Sequence, residues 1–471
     1  MNICASCGRE FEADSDAEAL CPQCAAESLS IHPSKPTTGL PGTPGLLGAP
    51  MRPVQEAPAP RRLWLPSPTL LLIALNTLVY LAMALQGHGF FAFDSGLLLR
   101  WGANSGALTS GGQWWRLLTS TFEHGGLLHI ALNMWCLYNL GWLAEMLFGR
   151  PRFTLLYLMC GIGGSLGSIC WRGNGLSVGA SGAIFGIAGA LIPAMALQGN
   201  PQLRTALKSQ LSSVALFVVY NLAFGAAVPG IDNAAHIGGL LTGLALGAAY
   251  PTGMDRRMHR RQGRALAGTL LVLMAFFAAA SFARRNNQGY IEADYAADAY
   301  SRGDVTSAVA HAERAVSMKP QDAHSQFMLG MLLMDQHRYS EALAPLAATT
   351  QLRPRFGPAH VELCLAQFEL KRLPEALASC ERGVQLSPTE AEPWLNLGRV
   401  RYTMGNISGA RDALAKAVAL RPQGFEENLQ YALLLIATGE TGRAVPYLQK
   451  AHDLHPEDAH VTRMLEQAKQ R

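Results

Sequence analysis

The stretch AHIGGLLTG occupies residues 235–243 of a run that carries almost no charge, and GASG at residues 179–182 opens a second such run. The first stretch holds an ionisable side chain, His236, and the second a nucleophilic hydroxyl, Ser181, each among mainly apolar neighbours. Burying such a group in a membrane helix is costly, so it usually marks a functional site. The two stretches therefore predict membrane helices that carry paired functional side chains.

Seven apolar segments approach the roughly 20 residues that a spanning helix needs. They are residues 69–86, 127–148, 153–169, 181–197, 211–228, 234–249 and 265–283. The fourth and sixth are rich in glycine, which indicates close helix–helix packing. Only eleven acidic or basic residues occur from Leu63 to Tyr250. We predict an all-α polytopic membrane protein.

Lysine and arginine in the short connections predict the orientation, because cytoplasmic loops carry more of both. One side holds Arg61, Arg62, Arg150, Arg152, Arg204, Lys208, Arg256, Arg257, Arg260, Arg261 and Arg264. The loops on the other side hold only Arg100, Arg116 and Arg172. The N-terminus is therefore expected to be cytoplasmic, and a seventh crossing would place everything after Ala283 outside. Arg284 and Arg285 argue weakly against that last crossing.

Four cysteines near the N-terminus form two CxxC pairs, Cys4 with Cys7 and Cys21 with Cys24. Thiolates from two tight turns can complete a tetrahedral zinc site. We predict structural zinc in a zinc-ribbon-like head at residues 1–28, with redox dithiols or no ordered site as alternatives. Residues 29–62 are rich in proline and glycine, which predicts a disordered linker between the head and the membrane.

The C-terminal third repeats with a period of 34 residues. Three registers keep this spacing: Pro320, Pro354, Pro388, Pro422 and Pro456; Ala308, Ala342, Ala376, Ala410 and Ala444; and Ala296, Gly330, Cys364, Gly398 and Ala432. The pattern resembles tetratricopeptide repeats. We predict an α-solenoid at residues 288–471, with five repeats, a capping helix and a groove for a protein or peptide partner. The alternative is a purely structural array.

Two cysteines of this region, Cys364 and Cys380, fall on the two helices of one repeat. Outside the cytoplasm they could pair, but their separation in sequence does not decide it.

Four motifs occur in order between residues 65 and 250. They are Trp115-Arg116, His124-x4-His129-x3-Asn133, Gly179-x-Ser181-Gly182 and Ala235-His236-x2-Gly239-x3-Gly243. Together they resemble the rhomboid family of intramembrane serine proteases. The resemblance implies a six-helix core at residues 63–250. Residues 251–284 would then add a basic loop and one extra transmembrane helix.

A serine hydroxyl becomes a nucleophile when a neighbouring base takes its proton. His236 is the candidate general base for Ser181, and small-residue stripes on both helices predict an approach close enough for a hydrogen bond. Phe185, one turn after Ser181, is expected to pack against the imidazole. The motifs contain no carboxylate well placed to orient His236, so we predict a dyad, with Asp232 as a weaker candidate for that role. No cofactor is expected for catalysis.

The resemblance also implies an oxyanion hole formed by the side chains of His124 and Asn133 and the backbone N–H of Ser181. His129 would be a nearby hydrogen-bonding partner, and Gly179 would let the substrate backbone approach the nucleophile. Arg116 and Glu145 are expected to be structural.

The predicted function is cleavage of transmembrane protein substrates in the inner (plasma) membrane, with an external repeat domain that recruits substrate or partner. One alternative is a catalytically silent rhomboid-like protein that binds or escorts transmembrane helices. A second is a scaffold whose soluble ends do the work. The net charge of +4 is small and spread out, so no nucleic-acid partner is expected.

Overall fold

The computed structural model describes residues 2–3, 10–11, 66–87, 89–198, 201–250, 252 and 258–470. It contains two compact units, Met1–Trp64 and Leu65–Arg471. In the first unit, β1 (Asn2–Ile3) pairs antiparallel with β2 (Glu10–Phe11). The four N-terminal cysteines and the linker lie outside the described residues, so the zinc site stays a prediction.

The second unit begins with eleven helices. They are α1 (Pro68–Gln86), α2 (Ser95–Trp101), α3 (Gly106–Ser110), α4 (Arg116–Thr119), α5 (Leu127–Phe148), α6 (Arg150–Trp171), α7 (Ser181–Ala196), α8 (Pro201–Ala206), α9 (Lys208–Ala227), α10 (Asn233–Ala249) and α11 (Met258–Asn286). A helix covers each of the seven predicted apolar segments, which confirms an all-α polytopic membrane protein. Five helices in the described residues are long and apolar enough to cross a membrane, whereas α7 is shorter.

Helices α7 and α10 touch through their backbones. A Cβ added to Gly243 would lie 1.8 Å from the carbonyl oxygen of Gly186, and one added to Gly239 would lie 1.9 Å from that of Gly182. Gly247 meets Ala190 in the same way, one turn further on. The predicted small-residue stripes are therefore confirmed as the contact between these two helices.

Arg116 holds the segment between α1 and α5, and Glu145 joins the end of α5 to the start of α1. Arg116 donates hydrogen bonds to the carbonyl oxygens of Leu99 (2.8 Å) and Ala103 (3.0 Å). Glu145 on α5 accepts from the backbone N–H (3.2 Å) and the hydroxyl (2.7 Å) of Thr69. Both side chains have the structural role predicted for them.

A short strand pair also holds this segment, and the sequence did not predict it. Strand β3 (Asn104–Ser105) pairs antiparallel with β4 (Leu176–Ser177), with Asn104 opposite Ser177. The side-chain amide of Asn104 donates to the carbonyl oxygen of Ser165, at 2.9 Å. Because β4 directly precedes residues 179–182, this pairing connects the loop to the start of α7.

The remaining eleven helices form the repeats. They are α12 (Gln288–Ser301), α13 (Val305–Met318), α14 (Ala323–Asp335), α15 (Tyr339–Leu352), α16 (Gly357–Glu369), α17 (Leu373–Leu386), α18 (Ala391–Thr403), α19 (Ile407–Leu420), α20 (Phe425–Ala437), α21 (Thr441–Leu454) and α22 (Ala459–Lys469). They make five helix pairs followed by one further helix.

Within each repeat, a small residue of the first helix allows close contact with the second. A Cβ on Gly330 would lie 2.6 Å from a methyl of Leu346, and Gly398 meets Leu414 in the equivalent place. In the third repeat the corresponding pair is Cys364 and Cys380. They form a disulfide, with Cα atoms 5.2 Å apart.

One buried asparagine joins the repeats to the membrane helices. Asn287 lies between α11 and α12, and its side-chain amide donates to the hydroxyl of Ser110 and to the carbonyl oxygen of Ile169, both at 3.1 Å. Ser110 ends α3, in the loop between α1 and α5, and Ile169 is near the end of α6. The repeat domain therefore starts against that loop.

Candidate active site

A cavity of about 710 Å³ lies among α5, α6, α7, α9 and α10. Both Ser181 and His236 line it. Its walls also include Phe91, His129, Asn133, Gly179, Phe185, Phe217, Asn221 and Asp232. The structure thus brings the starts of the two stretches, residues 179–182 and 235–243, to one cavity.

Ser181 is the first residue of α7, and the turn before it has a backbone conformation that favours glycine. Gly179 has a φ of +120°, which side-chain-bearing residues rarely adopt. Its N–H donates to the carbonyl oxygen of Ser120, at 2.8 Å. A Cβ at this glycine would lie 2.7 Å from Nε2 of His129. Gly179 is therefore needed here both for its conformation and for the close approach of His129.

His236 lies in the first turn of α10 and is held from two sides. Its ring stacks on Phe185, with centroids 4.1 Å apart and planes 6° apart, as predicted. Its Nδ1 lies 3.2 Å from Oδ1 of Asn233, a contact that the sequence analysis missed. The i, i+3 spacing of Asn233 and His236 on one helix face was the available signal.

Asp232, the weaker candidate for orienting His236, bonds other groups instead. Its carboxylate caps α10 by accepting from the N–H of Ala235 (3.1 Å), and it accepts from the hydroxyl of Ser168 at 2.5 Å. No carboxylate in the described part of the chain hydrogen-bonds the imidazole of His236. This arrangement favours a dyad over a triad.

The structure contains no direct hydrogen bond between Ser181 and His236, in a region described throughout. Catalytic hydrogen bonds are often long in unliganded enzymes and tighten when substrate binds. The two side chains share the cavity wall, and the backbones that carry them are in contact.

The two histidines of the third motif differ in position. His129 lines the cavity with Asn133, one turn further along α5, whereas His124 is fully buried outside the cavity wall. The rings of His124 and His129 meet edge to face, with centroids 5.1 Å apart. The geometry therefore favours His129, rather than His124, as the partner of Asn133 at the site.

Hydrogen bonding also indicates which nitrogen of His129 carries the proton. The backbone N–H of Gly125 donates to Nδ1 of His129 at 3.4 Å, so the proton of the neutral ring is on Nε2. That nitrogen faces Gly179. The amide nitrogen of Asn133 is 3.6 Å from the Cβ position of Gly179 and has no hydrogen-bond partner among the described residues. Two hydrogen-bond donors, Nε2 of His129 and Nδ2 of Asn133, thus lie beside Gly179.

A buried acid lies directly before His124. Glu123 is only 1% exposed, and neither of its carboxylate oxygens has a hydrogen-bond partner in the part of the chain that the structure describes. Burial raises the pKa of Glu123 to about 8, although nearby Arg116 opposes the shift. The carboxyl group is therefore mainly protonated at neutral pH.

Replacing Glu123 with glutamine should remove a pH dependence of stability. Between its ordinary value of 4.5 and about 8, the folded state binds a proton that the unfolded state releases. Wild-type stability should therefore fall as pH rises through this window. Relative to wild type, Glu123→Gln should gain roughly 1–3 kcal/mol between about pH 6 and about pH 9.

The measurement is the thermal unfolding midpoint of the detergent-solubilised protein across this pH range. Glu466→Gln, at an exposed position of the last helix, is the matched control and should follow the wild type. Parallel curves for Glu123→Gln and wild type would contradict the raised pKa.

Comparisons with known proteins match two parts of the chain. Residues 111–252 match the rhomboid domain, and residues 296–355, 327–391 and 395–459 match the tetratricopeptide repeat. The Rhomboid protease GluP of Bacillus subtilis (strain 168) is 38% identical over 184 residues, which cover 39% of this chain and 35% of GluP. RHOMBOID-like protein 4 of Arabidopsis thaliana is 39% identical over 140 residues, or 30% of this chain and 35% of that protein.

The chain thus spans about a third of the length of these two relatives. The Rhomboid protease AarA of Providencia stuartii is covered further: it is 33% identical over 203 residues, which cover 39% of this chain and 72% of AarA. Among solved structures, a thermophilic TPR protein of Thermus thermophilus matches with a TM-score of 0.33 and 22% identity. That match covers 39% of this chain and all of the thermophilic protein.

Proposed function

The chain belongs to the rhomboid family, and we propose that it is an intramembrane serine endopeptidase that cleaves transmembrane segments of membrane proteins. The observation that carries the proposal is the shared cavity of Ser181 and His236, with the imidazole stacked on Phe185. A silent relative that only binds helices would need neither a serine and a histidine on one cavity wall nor side-chain donors beside them. Both features support the protease.

The reaction follows from the atoms that face the cavity. The hydroxyl oxygen of Ser181 attacks the scissile carbonyl carbon while Nε2 of His236 accepts the hydroxyl proton. Collapse of the tetrahedral intermediate breaks the C–N bond, and His236 gives the proton to the leaving amine. Water then hydrolyses the acyl-enzyme with His236 as base, and Ser181 is regenerated.

The oxyanion of the tetrahedral intermediate requires donors beside the nucleophile. Nε2–H of His129 and the side-chain amide of Asn133 have the required position next to Gly179. We assign the oxyanion hole to these two groups and the backbone N–H of Ser181. His124, which the resemblance suggested, is assigned to support of the His129 ring instead.

An activity-based probe tests this function. Fluorophosphonate should label the wild-type protein in detergent, whereas Ser181→Ala and His236→Ala should lose labelling, because the first lacks the nucleophile and the second its base. Ser212→Ala is the matched control, since that exposed hydroxyl on α9 bonds only a backbone carbonyl and should label like wild type. Absence of labelling in folded wild-type protein would favour the silent helix-binding alternative.

We further propose that the repeat domain lies on the external side, where the cavity opens. Asn287 bonds the loop between α1 and α5 and the end of α6, which lie on the side opposite to the Lys- and Arg-rich connections. The disulfide of Cys364 with Cys380 fits an oxidising compartment, since disulfides are rare in the cytoplasm. Residues 262–286, apolar and long enough to span, supply the required crossing.

The redox state of this cysteine pair tests the location. Lys371 and Arg372 lie between the two cysteines, so trypsin separates them into two peptides unless the disulfide joins them. After thiol blocking in intact cells, mass spectrometry without reductant should detect the joined peptides, and reduction should release them. Cys364→Ser should abolish the joined species. Two fully blocked thiols in the wild type would place the repeats in a reducing compartment.

The repeat domain is proposed to recruit substrate or a partner protein. Removing residues 288–471 while keeping Asn287 should reduce Ser181-dependent release of membrane-protein fragments, yet leave probe labelling intact, because the cavity residues all precede the cut. Quantitative proteomics of released fragments measures this, with Ser181→Ala as the baseline. An unchanged set of fragments, released at unchanged rates, would exclude recruitment.

A further inference from the structure

Asn233, the first residue of α10, joins the histidine of the dyad to a neighbouring helix. Its Oδ1 lies 3.2 Å from Nδ1 of His236, and its Nδ2 donates to the backbone carbonyl oxygen of Leu222 on α9, at 3.0 Å. Asn233 is absent from the cavity wall, although its neighbours Asp232 and His236 are part of it. Its side chain can therefore affect the reaction only through its contact with His236.

The contact of Asn233 with Leu222 fixes the orientation of the amide, and this orientation fixes the protonation of His236. A carbonyl oxygen only accepts, so the Leu222 carbonyl requires the NH₂ end of the Asn233 amide. The amide oxygen must then face Nδ1 of His236, and an oxygen acceptor requires a proton on Nδ1. In the neutral imidazole the other nitrogen, Nε2, is left unprotonated. That is the form a general base needs when Nε2 serves Ser181.

Space for this amide is provided by α9. A Cβ added to Gly225 would lie 2.3 Å from Oδ1 of Asn233 and 3.0 Å from its Cγ. Any larger residue at Gly225 would push the amide away from its two partners. Phe217 on the same helix packs on Phe185, with ring centroids 5.6 Å apart, so α9 also supports the stacking partner of His236.

We propose that Asn233 is a positioning residue that fixes His236 in the Nδ1-protonated tautomer. Because the Asn233 amide is held by the Leu222 carbonyl, the tautomer then depends on the position of α9. The inference rests on the proposed protease function for its kinetic consequence, but not for the tautomer itself. An orienting aspartate in a serine-protease triad is worth about 10⁴ in kcat. A neutral amide at 3.2 Å is a weaker partner, so its loss should cost less.

The kinetic test uses the full-length protein and the rate of Ser181 phosphonylation by a fluorophosphonate, separated into kinact and KI. Asn233→Ala should lower kinact by roughly 10- to 100-fold and leave KI within about twofold. Asn233→Asp keeps an acceptor for Nδ1 and should recover most of the loss. Gly225→Ala should lower kinact like Asn233→Ala, although the asparagine is still present.

The control is Asn139→Ala on α5. Asn139 is exposed, and its amide bonds only the backbone carbonyl of Trp135, at 2.7 Å. Its removal should leave kinact unchanged. Unchanged kinact in folded Asn233→Ala would overturn the proposal. Unchanged kinact in Gly225→Ala would overturn the dependence on α9, since the Asn233 amide would then keep its place without that space.

A second measurement does not require activity. Protein labelled with ¹⁵N-histidine, with the His236 signals identified by their loss in His236→Ala, reports which ring nitrogen carries the proton. Wild type and Asn233→Asp should show one tautomer, protonated at Nδ1, and Asn233→Ala a mixture. If wild type were not labelled by the probe, the proposed function would fail while this spectrum still tested Asn233. A mixture in wild type would overturn the tautomer assignment.

Discussion

The backbone contact between α7 and α10 is the constraint on which the site depends. Ser181 begins α7 and His236 lies in the first turn of α10, so their separation is set by how closely the two helices cross. Gly239, Gly243 and Gly247 lie so close to the carbonyl oxygens of Gly182, Gly186 and Ala190 that none of these three α10 glycines has space for a Cβ. Lipid provides no hydrophobic drive for helix association, so close packing of small residues has to supply it. The same residues therefore stabilise the membrane core and bring Ser181 and His236 to one cavity.

The two histidines of this cavity have opposite proposed tasks, and the hydrogen bond at Nδ1 of each ring distinguishes them. Gly125 donates to Nδ1 of His129, which leaves a proton on Nε2 to stabilise an oxyanion. Asn233 accepts from Nδ1 of His236, which leaves Nε2 free to take a proton. A given nitrogen of a neutral imidazole is either a donor or an acceptor, and the hydrogen bond at the other nitrogen fixes which of the two it is. One acid-like and one base-like group can thus share a site without either being charged.

Periodicity was sufficient to predict the helices, because apolar runs of spanning length and a 34-residue repeat are strong signals. Motif order was also sufficient to single out Ser181 and His236. The sequence already predicted a helix that begins at residue 127, which leaves His124 in the preceding loop. The choice between His124 and His129 was not accessible, because it depends on which ring the folded chain brings against Gly179. The β3–β4 pairing and the Asn233 amide join residues through geometry that only the folded chain defines.

The attachment of the repeats has a consequence for the site. Asn287 is fully buried and holds the loop between α1 and α5 through Ser110, and that loop also pairs through β3 with the strand preceding Gly179. A Cβ on Gly173, in the connection that follows α6, would lie 2.1 Å from the amide oxygen of Asn287, so the joint has little freedom. The start of the repeat domain is therefore joined to the turn that carries Ser181 by two successive contacts, Asn287 with Ser110 and β3 with β4.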